Sequence, residues 1–507
     1  MKAISIAIFV FAFLLLRISF MQDNGMWYNS ENSECFGNDD QEYFVHASSL
    51  AFGQFPSYKK EICYGLRSPT CAIGAGIMAS PFVFAFSWFD RLTGSDIVES
   101  RTYKNVSGSW SQFGFVFAAS VYFWFACFLL YRALRWFIEK RYATMAVIYM
   151  IVCQGLPLYV YRRPIFSHVF EFFLQSLMIF MLLRNLKRDS FELKGVLPAV
   201  GTGVLVALIY LVRYNNFFAA LIWPFALFCR NFSEFKTARF WRTMAVVCGA
   251  AGAVVFLFKI LPDHYLHYQG YSSVGNILLQ LRPLTFYLKR AWHILFGVDW
   301  GLLYTAPFIF LGIAGLFLKD FTGRVRIFIS LIPMCVTFYI MIVWGSQGCF
   351  YGYRLIMASI MPLLVFPLAY IFKKSDEKYG QKIRLFWMLI ALFPVLSMLF
   401  FESGDNLALQ HDLNMGWTNH TFQLEVWKTA FGHPKELFFV LFKRVIYFIY
   451  LLATLLGFKN KMPATIVNNY PIYDFWPTLK VFILYALPFV LYGLTRRKKR
   501  SSSDQGK

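Results

Sequence analysis

The chain has 507 residues, of which 58% are apolar and 20% aromatic, with a mean hydropathy of +0.51 and a formal charge of +22. That composition excludes a water-soluble globular fold and fits a polytopic membrane protein. In a soluble chain the charge would point to nucleic acid, but here the basic residues cluster in short gaps between hydrophobic segments, which is topology and not DNA binding.

Residues 4–20 follow Lys2, and no small-residue cleavage site precedes the polar region. They read as an uncleaved signal anchor, so residues 1–20 are taken as a first transmembrane helix with its N-terminus inside. Residues 21–111 are the longest polar stretch and are acid-rich. Within them Asp39 and Asp40 are adjacent, and Tyr43, Ala47, Leu50 and Ala51 recur at helical spacing. The acids are therefore expected on the first turn of an amphipathic helix that Gly53 and Pro56 end. A helix N-terminus carries partial positive charge, which keeps a carboxylate ionised; plain capping by Asn38 and Asp39 is the blander explanation. Further on, the apolar run Ile73–Phe89 is interrupted by Gly74, Gly76 and Pro81, and is expected to lie in the interface or dip into the bilayer. Of the nine cysteines, six from Cys127 onward lie in or beside hydrophobic segments and read as packing residues. Cys35, Cys63 and Cys71 share the outer loop, where one disulfide can form, its pairing left open.

Further spans are expected at 112–131, 143–161, 165–183, 195–212, 215–229, 243–261, 303–318, 327–344, 355–372 and 385–401, each near the ~20 residues a bilayer needs. Basic loops alternate with them: Arg132 to Arg141, Arg184 to Arg188, Arg230 to Arg242, Lys319 to Arg326 and Lys373 to Lys382, ending in the tail Arg496–Arg500. Positive-inside sorting puts these in the cytoplasm, and the stretches 21–111, 262–302 and 402–473 outside. All eight histidines then fall on the outer side. Lys443 and Arg444 interrupt residues 436–458, so that segment is assigned to the outer interface and 474–507 to the last span with its basic cytoplasmic tail. The fold class is thus an all-α polytopic membrane protein with about twelve spans, thirteen being the alternative count, and the transmembrane core covers 112–401.

Four outer features stand together. After the acid pair comes a tight turn, Tyr161 to Phe173, carrying Arg163, His168 and Glu171. The arginines there could simply anchor lipid headgroups, but His168 and Glu171, three residues apart, share a helix face where ionisable groups are costly. The third feature is Arg213-Tyr214-Asn215-Asn216 at the end of a span. The last is the Gly- and aromatic-rich loop Trp344 to Arg354, in which Tyr351, Tyr353 and Arg354 offer stacking and phosphate contacts. Carboxylates beside cations at an outer membrane face suit glycosyl transfer from a lipid-phosphate sugar, where a base deprotonates an acceptor hydroxyl and cations stabilise the departing phosphate.

In these four patches the chain resembles the GT-C superfamily of polytopic glycosyltransferases. Asp39-Asp40-Gln41-Glu42-Tyr43 resembles the family's first-loop acidic motif, and the Ser167-His168 turn, Arg213-Tyr214-Asn215 and the Trp344–Arg354 loop resemble later patches of bacterial members. The resemblance implies Asp39 as catalytic base with Asp40 orienting the base or acceptor. It also implies Arg163, His168, Arg213 and Arg354 on the donor phosphate, and Glu171, Tyr351, Tyr353 and His264 on the substrate. It implies no obligatory cofactor, a metal-free site being preferred over a divalent ion on Asp39, Asp40 and Glu42. The partners would be a polyprenyl-phosphate sugar, a glycan acceptor and the bilayer, with no nucleic acid. Chain length suggests the bacterial inner-membrane enzymes that glucosylate lipid-linked O-antigen from the periplasmic side. A lipid A aminosugar transferase, a protein O-mannosyltransferase and a lipid-linked-sugar flippase are the competing expectations. A flippase would need polar residues spread through the midplane.

Overall fold

A computed structural model describes residues 39–56, 58, 71–94, 109–161, 164–188, 195–216, 236–265, 283–297, 301–318, 354–403, 431–432, 445–446, 448–458 and 475–504. Among them all regular structure is helical. Among the described residues three helices are long and apolar enough to cross a membrane, Trp110–Leu134, Ala238–His264 and Ala358–Tyr379. The first and third are mostly buried within the protein, whereas only 6% of the Ala238–His264 window is covered, marking that helix as peripheral.

The acid-bearing segment forms helix α1 (Asp39–Ala51), ending before Gly53 at φ +68°, as its apolar spacing and glycine require. The run at Ile73–Phe89 is one continuous helix, α2 (Gly74–Leu92), with Pro81 inside it. Its glycines are contacts and not interruptions. A Cβ on Gly76 would stand 2.5 Å from His46 Cβ, and one on Gly74 would stand 2.4 Å from the Val212 backbone nitrogen. Only glycine therefore lets α2 lie against α1 on one side and the end of α7 (Val196–Val212) on the other.

Helix α2 pairs antiparallel with α3 (Trp110–Leu134), Phe82 meeting Tyr122 and Phe86 meeting Phe113 edge-on at 5.2 Å. Asp90 near the end of α2 accepts from the Trp110 and Ser111 amides, both at 2.7 Å, and from the Ser111 hydroxyl at 2.6 Å. An acid at a helix N-terminus satisfies amides that have no intrahelical partner. Helices α4 (Lys140–Val152) and α5 (Leu156–Tyr161) return toward α6 (His168–Arg188), which packs on α3, α7 and α13 (Arg354–Tyr379).

Several expected spans differ in detail. The segment 143–161 breaks at Gly155, φ +71°, into α4 and α5. The stretch 243–261 is α8 (Ala238–Val255), a π-helical turn at Phe256–Ile260 and α9 (Leu261–Tyr265), so the helix runs into the expected loop 262–302, which also holds α10 (Leu284–Phe296). The stretch 303–318 divides into α11 (Leu302–Thr305) and α12 (Pro307–Leu316) around Ala306. Helices α13 and α14 (Gln381–Ser403) outrun their apolar cores, because lysine and arginine are good helix formers and hydropathy marks only the apolar part. Residues 448–455 are helical, Phe448 lying on Phe482 and Tyr485 of α15 (Phe475–Asp504). The expected spans 4–20 and 327–344, and 215–229 from residue 217 onward, lie outside the described residues.

What fixes α1 to α2 is a two-residue clamp. Glu42 Oε2 accepts from the Cys71 amide at 2.6 Å, and His46, one turn on, holds the Cys71 carbonyl through Nε2 at 3.0 Å. A carbonyl only accepts, so Nε2 carries the proton and Nδ1 accepts from the Tyr58 hydroxyl at 2.6 Å. Burial holds His46 neutral, lowering its pKa from 6.5 to about 4. Between those two values the unfolded chain binds a proton that the folded chain refuses, so the stabilisation is complete above pH 6.5 and declines as pH falls toward 4. This histidine should remove on the order of 2 kcal/mol of stability between pH 7 and pH 5. Thermal unfolding in detergent should show that slope in the wild type and a shallower one in His46→Asn; equal slopes would refute the clamp's role.

Candidate functional site

The structure joins three of the four sequence patches. Tyr43, one turn after Asp39 on α1, donates its hydroxyl to Ser167 Oγ at 3.0 Å. Ser167 stands just before α6, and its carbonyl receives the Glu171 amide at 2.9 Å. His168 and Glu171 occupy the first turn of α6, both almost wholly buried. Arg213 leaves the end of α7 in extended conformation, φ −156°, and turns its guanidinium onto that first turn. Nη1 lies 3.3 Å from Glu171 Oε2 and 3.2 Å from His168 Nδ1.

His168 adds to this junction: its Nδ1 also lies 3.7 Å from Glu171 Oε2, and as an acceptor from the guanidinium, which only donates, it helps to orient Arg213, with Tyr159 edge-on against its ring at 4.9 Å. Glu171 neutralises Arg213 across a buried pair. The guanidinium's Nε and Nη2 make no bond to another described residue and remain a fork suited to a phosphate or carboxylate.

Asp39 and Asp40 begin α1, as expected, their side chains lying outside the described ones. Arg354 is the first residue of α13, likewise described in its backbone alone, and Arg163, Tyr351 and Tyr353 are outside the described residues. His264 is exposed on α9 beside Asp263, whose carboxylate takes the Lys259 ammonium at 2.9 Å. Among the described residues no group of three His, Cys, Asp or Glu side chains is arranged to hold a metal ion.

Two neighbours have no role in the sequence reading, although the first of them belongs to its Arg213–Asn216 turn. Asn216, in the 3₁₀ turn Tyr214–Asn216, is buried beside Glu171. Lys259, in the π-helical turn, sets its ammonium 4.5 Å from the centre of the Tyr214 ring. A lysine inside an otherwise apolar span was a usable signal, because such residues are costly there; the extra residue of a π turn, which re-aims a side chain, was not.

The fold and site define an all-helical protein with helices apt for a membrane and a buried Arg–Glu–His cluster below an acid-bearing helix. No protein-family model, curated protein or solved structure matches the chain.

Removing one member of a buried ion pair strands the other. Arg213→Ala should therefore cost about 3–5 kcal/mol, and adding Glu171→Leu should recover much of it. Denaturant titration of single and double variants in micelles measures this coupling; additive losses would show that the pair does not exist.

Proposed function

We propose that the chain is a polytopic glycosyltransferase that moves a hexose, with glucose favoured, from a polyprenyl-phosphate donor to a lipid-linked glycan such as O-antigen. It works at the periplasmic face of a bacterial inner membrane, in a fold of about twelve spans whose basic loops face the cytoplasm. The observation that carries this reading is the bond from Tyr43 to Ser167. Through it the helix that begins with Asp39 and Asp40 is tied to the turn where Glu171 and His168 hold Arg213. An acid pair and a guanidinium with free donors are the two requirements of the chemistry.

In the proposed reaction the acceptor hydroxyl gives its proton to Asp39 while its oxygen bonds to the anomeric carbon from the face opposite the phosphate. The bond from that carbon to the phosphate oxygen breaks, and polyprenyl phosphate leaves with the electron pair, its charge met by Arg213 and, on the resemblance, by Arg163 and Arg354. The configuration inverts. Asp40 orients the base or the acceptor.

The cluster also favours an enzyme over a flippase. His168, Glu171, Arg213 and Asn216 concentrate at helix ends, whereas a transporter would distribute polar groups through the midplane.

Asp39→Asn should insert and keep its affinity for polyprenyl-phosphate glucose while transfer to a glycan acceptor falls about 100-fold or more. Micelle assays with purified protein, where no sidedness remains, read both quantities. Full transfer by the folded variant would sink the assignment of the base.

A further inference from the structure

Buried polar atoms are almost always bonded, and those that are not ask for an explanation. Around the Arg213 cluster four such atoms gather. Glu171 Oε1, Gln175 Oε1, Gln175 Nε2 and Asn216 Nδ2 are all buried without a hydrogen-bond partner. Gln175 is wholly buried, Glu171 is 1% exposed and Asn216 is 5% exposed. His168, Glu171 and Gln175 follow at intervals of three and four residues on α6, which sets them on one helix face with Gln175 a turn further along. Asn216 stands beside the Glu171 carboxylate as a weak, poorly aligned hydrogen-bond partner, so these two atoms answer each other only in part, whereas both ends of the Gln175 amide have no partner.

The chemistry of the four atoms selects the occupant. Two are acceptors, on Glu171 and Gln175, and two are amide donors, on Gln175 and Asn216. A fully ionised phosphate accepts only, so it cannot serve the acceptors; a metal ion cannot serve the donors. A hydroxyl does both. Both ends of the Gln175 amide are unpaired, so reversing the amide changes nothing. Leaving such a group unpaired costs about 1–3 kcal/mol, and Gln175 follows Glu171 by one helical turn, so its amide lies on the α6 face that Arg213 meets.

We propose that Glu171, Gln175 and Asn216 form a hydroxyl-recognition subsite adjoining Arg213, which holds the sugar of the lipid-phosphate donor while the guanidinium takes the phosphate. The inference rests on the function proposed above and adds Gln175 and Asn216 as residues that discriminate a sugar-bearing lipid from the bare lipid phosphate. Arg213 grips both lipids alike, whereas the subsite grips one.

Equilibrium binding of polyprenyl-phosphate glucose and of sugar-free polyprenyl phosphate to the full-length protein in micelles tests this. In Gln175→Leu the dissociation constant for the glucosyl lipid should rise about tenfold, the effect of losing one buried hydrogen-bond partner, while that for the bare lipid phosphate stays unchanged. The variant should melt no lower than the wild type, because two unpaired atoms are removed. Asn216→Ser supplies a second variant with the same expectation should Gln175→Leu misfold. Unchanged affinity for both lipids would overturn the inference and assign the atoms to bound water. Equal weakening for both would overturn it as well, because the residues would then act on the phosphate or the fold. A wild-type protein that binds neither lipid would remove the glycosyltransferase reading itself, and this inference with it.

Discussion

A guanidinium and a carboxylate in an apolar bundle must find each other, and the meeting of Arg213 with Glu171 is the constraint around which the rest of this structure is arranged. Desolvating either charge alone costs several kcal/mol, so the end of α7 and the start of α6 are held at one level in the bundle. Everything that touches this junction inherits its position. The His168 ring lies against the same guanidinium, Asn216 follows from the 3₁₀ turn that closes α7, and Ser167 presents its hydroxyl to Tyr43 from the preceding residue.

The acid-bearing helix is secured to that junction by independent means. Glu42 and His46 clamp the backbone of a single residue, Cys71, at the α2 entry, Gly76 admits the α1 backbone, and Gly74 admits the end of α7. Each is a close, directional contact that leaves little room for sliding. The first turn of α1 is therefore carried by a packed α1–α2–α7 unit, even though so short a helix would fray by itself. The proposed base on that turn would need such support, because misplacement by ~1 Å costs about 100-fold in rate.

How much of this was legible in the sequence depends on which physical signal each part leaves there. Helix α1 and its first-turn acids followed from apolar spacing and Gly53, and the pairing of His168 with Glu171 followed from their interval of three. Apolar length marked the helices but not their breaks, since Gly155 and Ala306 break them through backbone geometry that hydropathy ignores. Gly74 and Gly76 looked like interruptions because a missing Cβ reads the same whether it loosens a helix or lets a neighbour approach. The contact of His168 with Arg213 was not legible, because it arises where the start of α6 meets the end of α7, a tertiary meeting that hydropathy does not record. Asn216 stands in a recognised turn but has no legible role, and Gln175 gives no signal, because nothing in a sequence records that a buried amide is left without a partner.

Two buried carboxylates are satisfied to different degrees. Asp376, near the end of α13, accepts from Tyr142 at 2.8 Å, from Arg384 Nη2 at 2.9 Å and Nε, and from Arg141. Both of its oxygens are taken, and donors from α4 and α14 converge on it, stapling both helices to α13. Glu171 has the same chemistry, but one oxygen is bonded to Arg213 and the other has only Asn216 near it, short of a full hydrogen bond. A carboxylate in a low-dielectric interior gains from saturation, because each empty lone pair raises its cost. Asp376 has that saturation and Glu171 does not, so the two carboxylates differ in what the surrounding side chains supply: the first is closed by three donors from two helices, and the second leans on a single guanidinium.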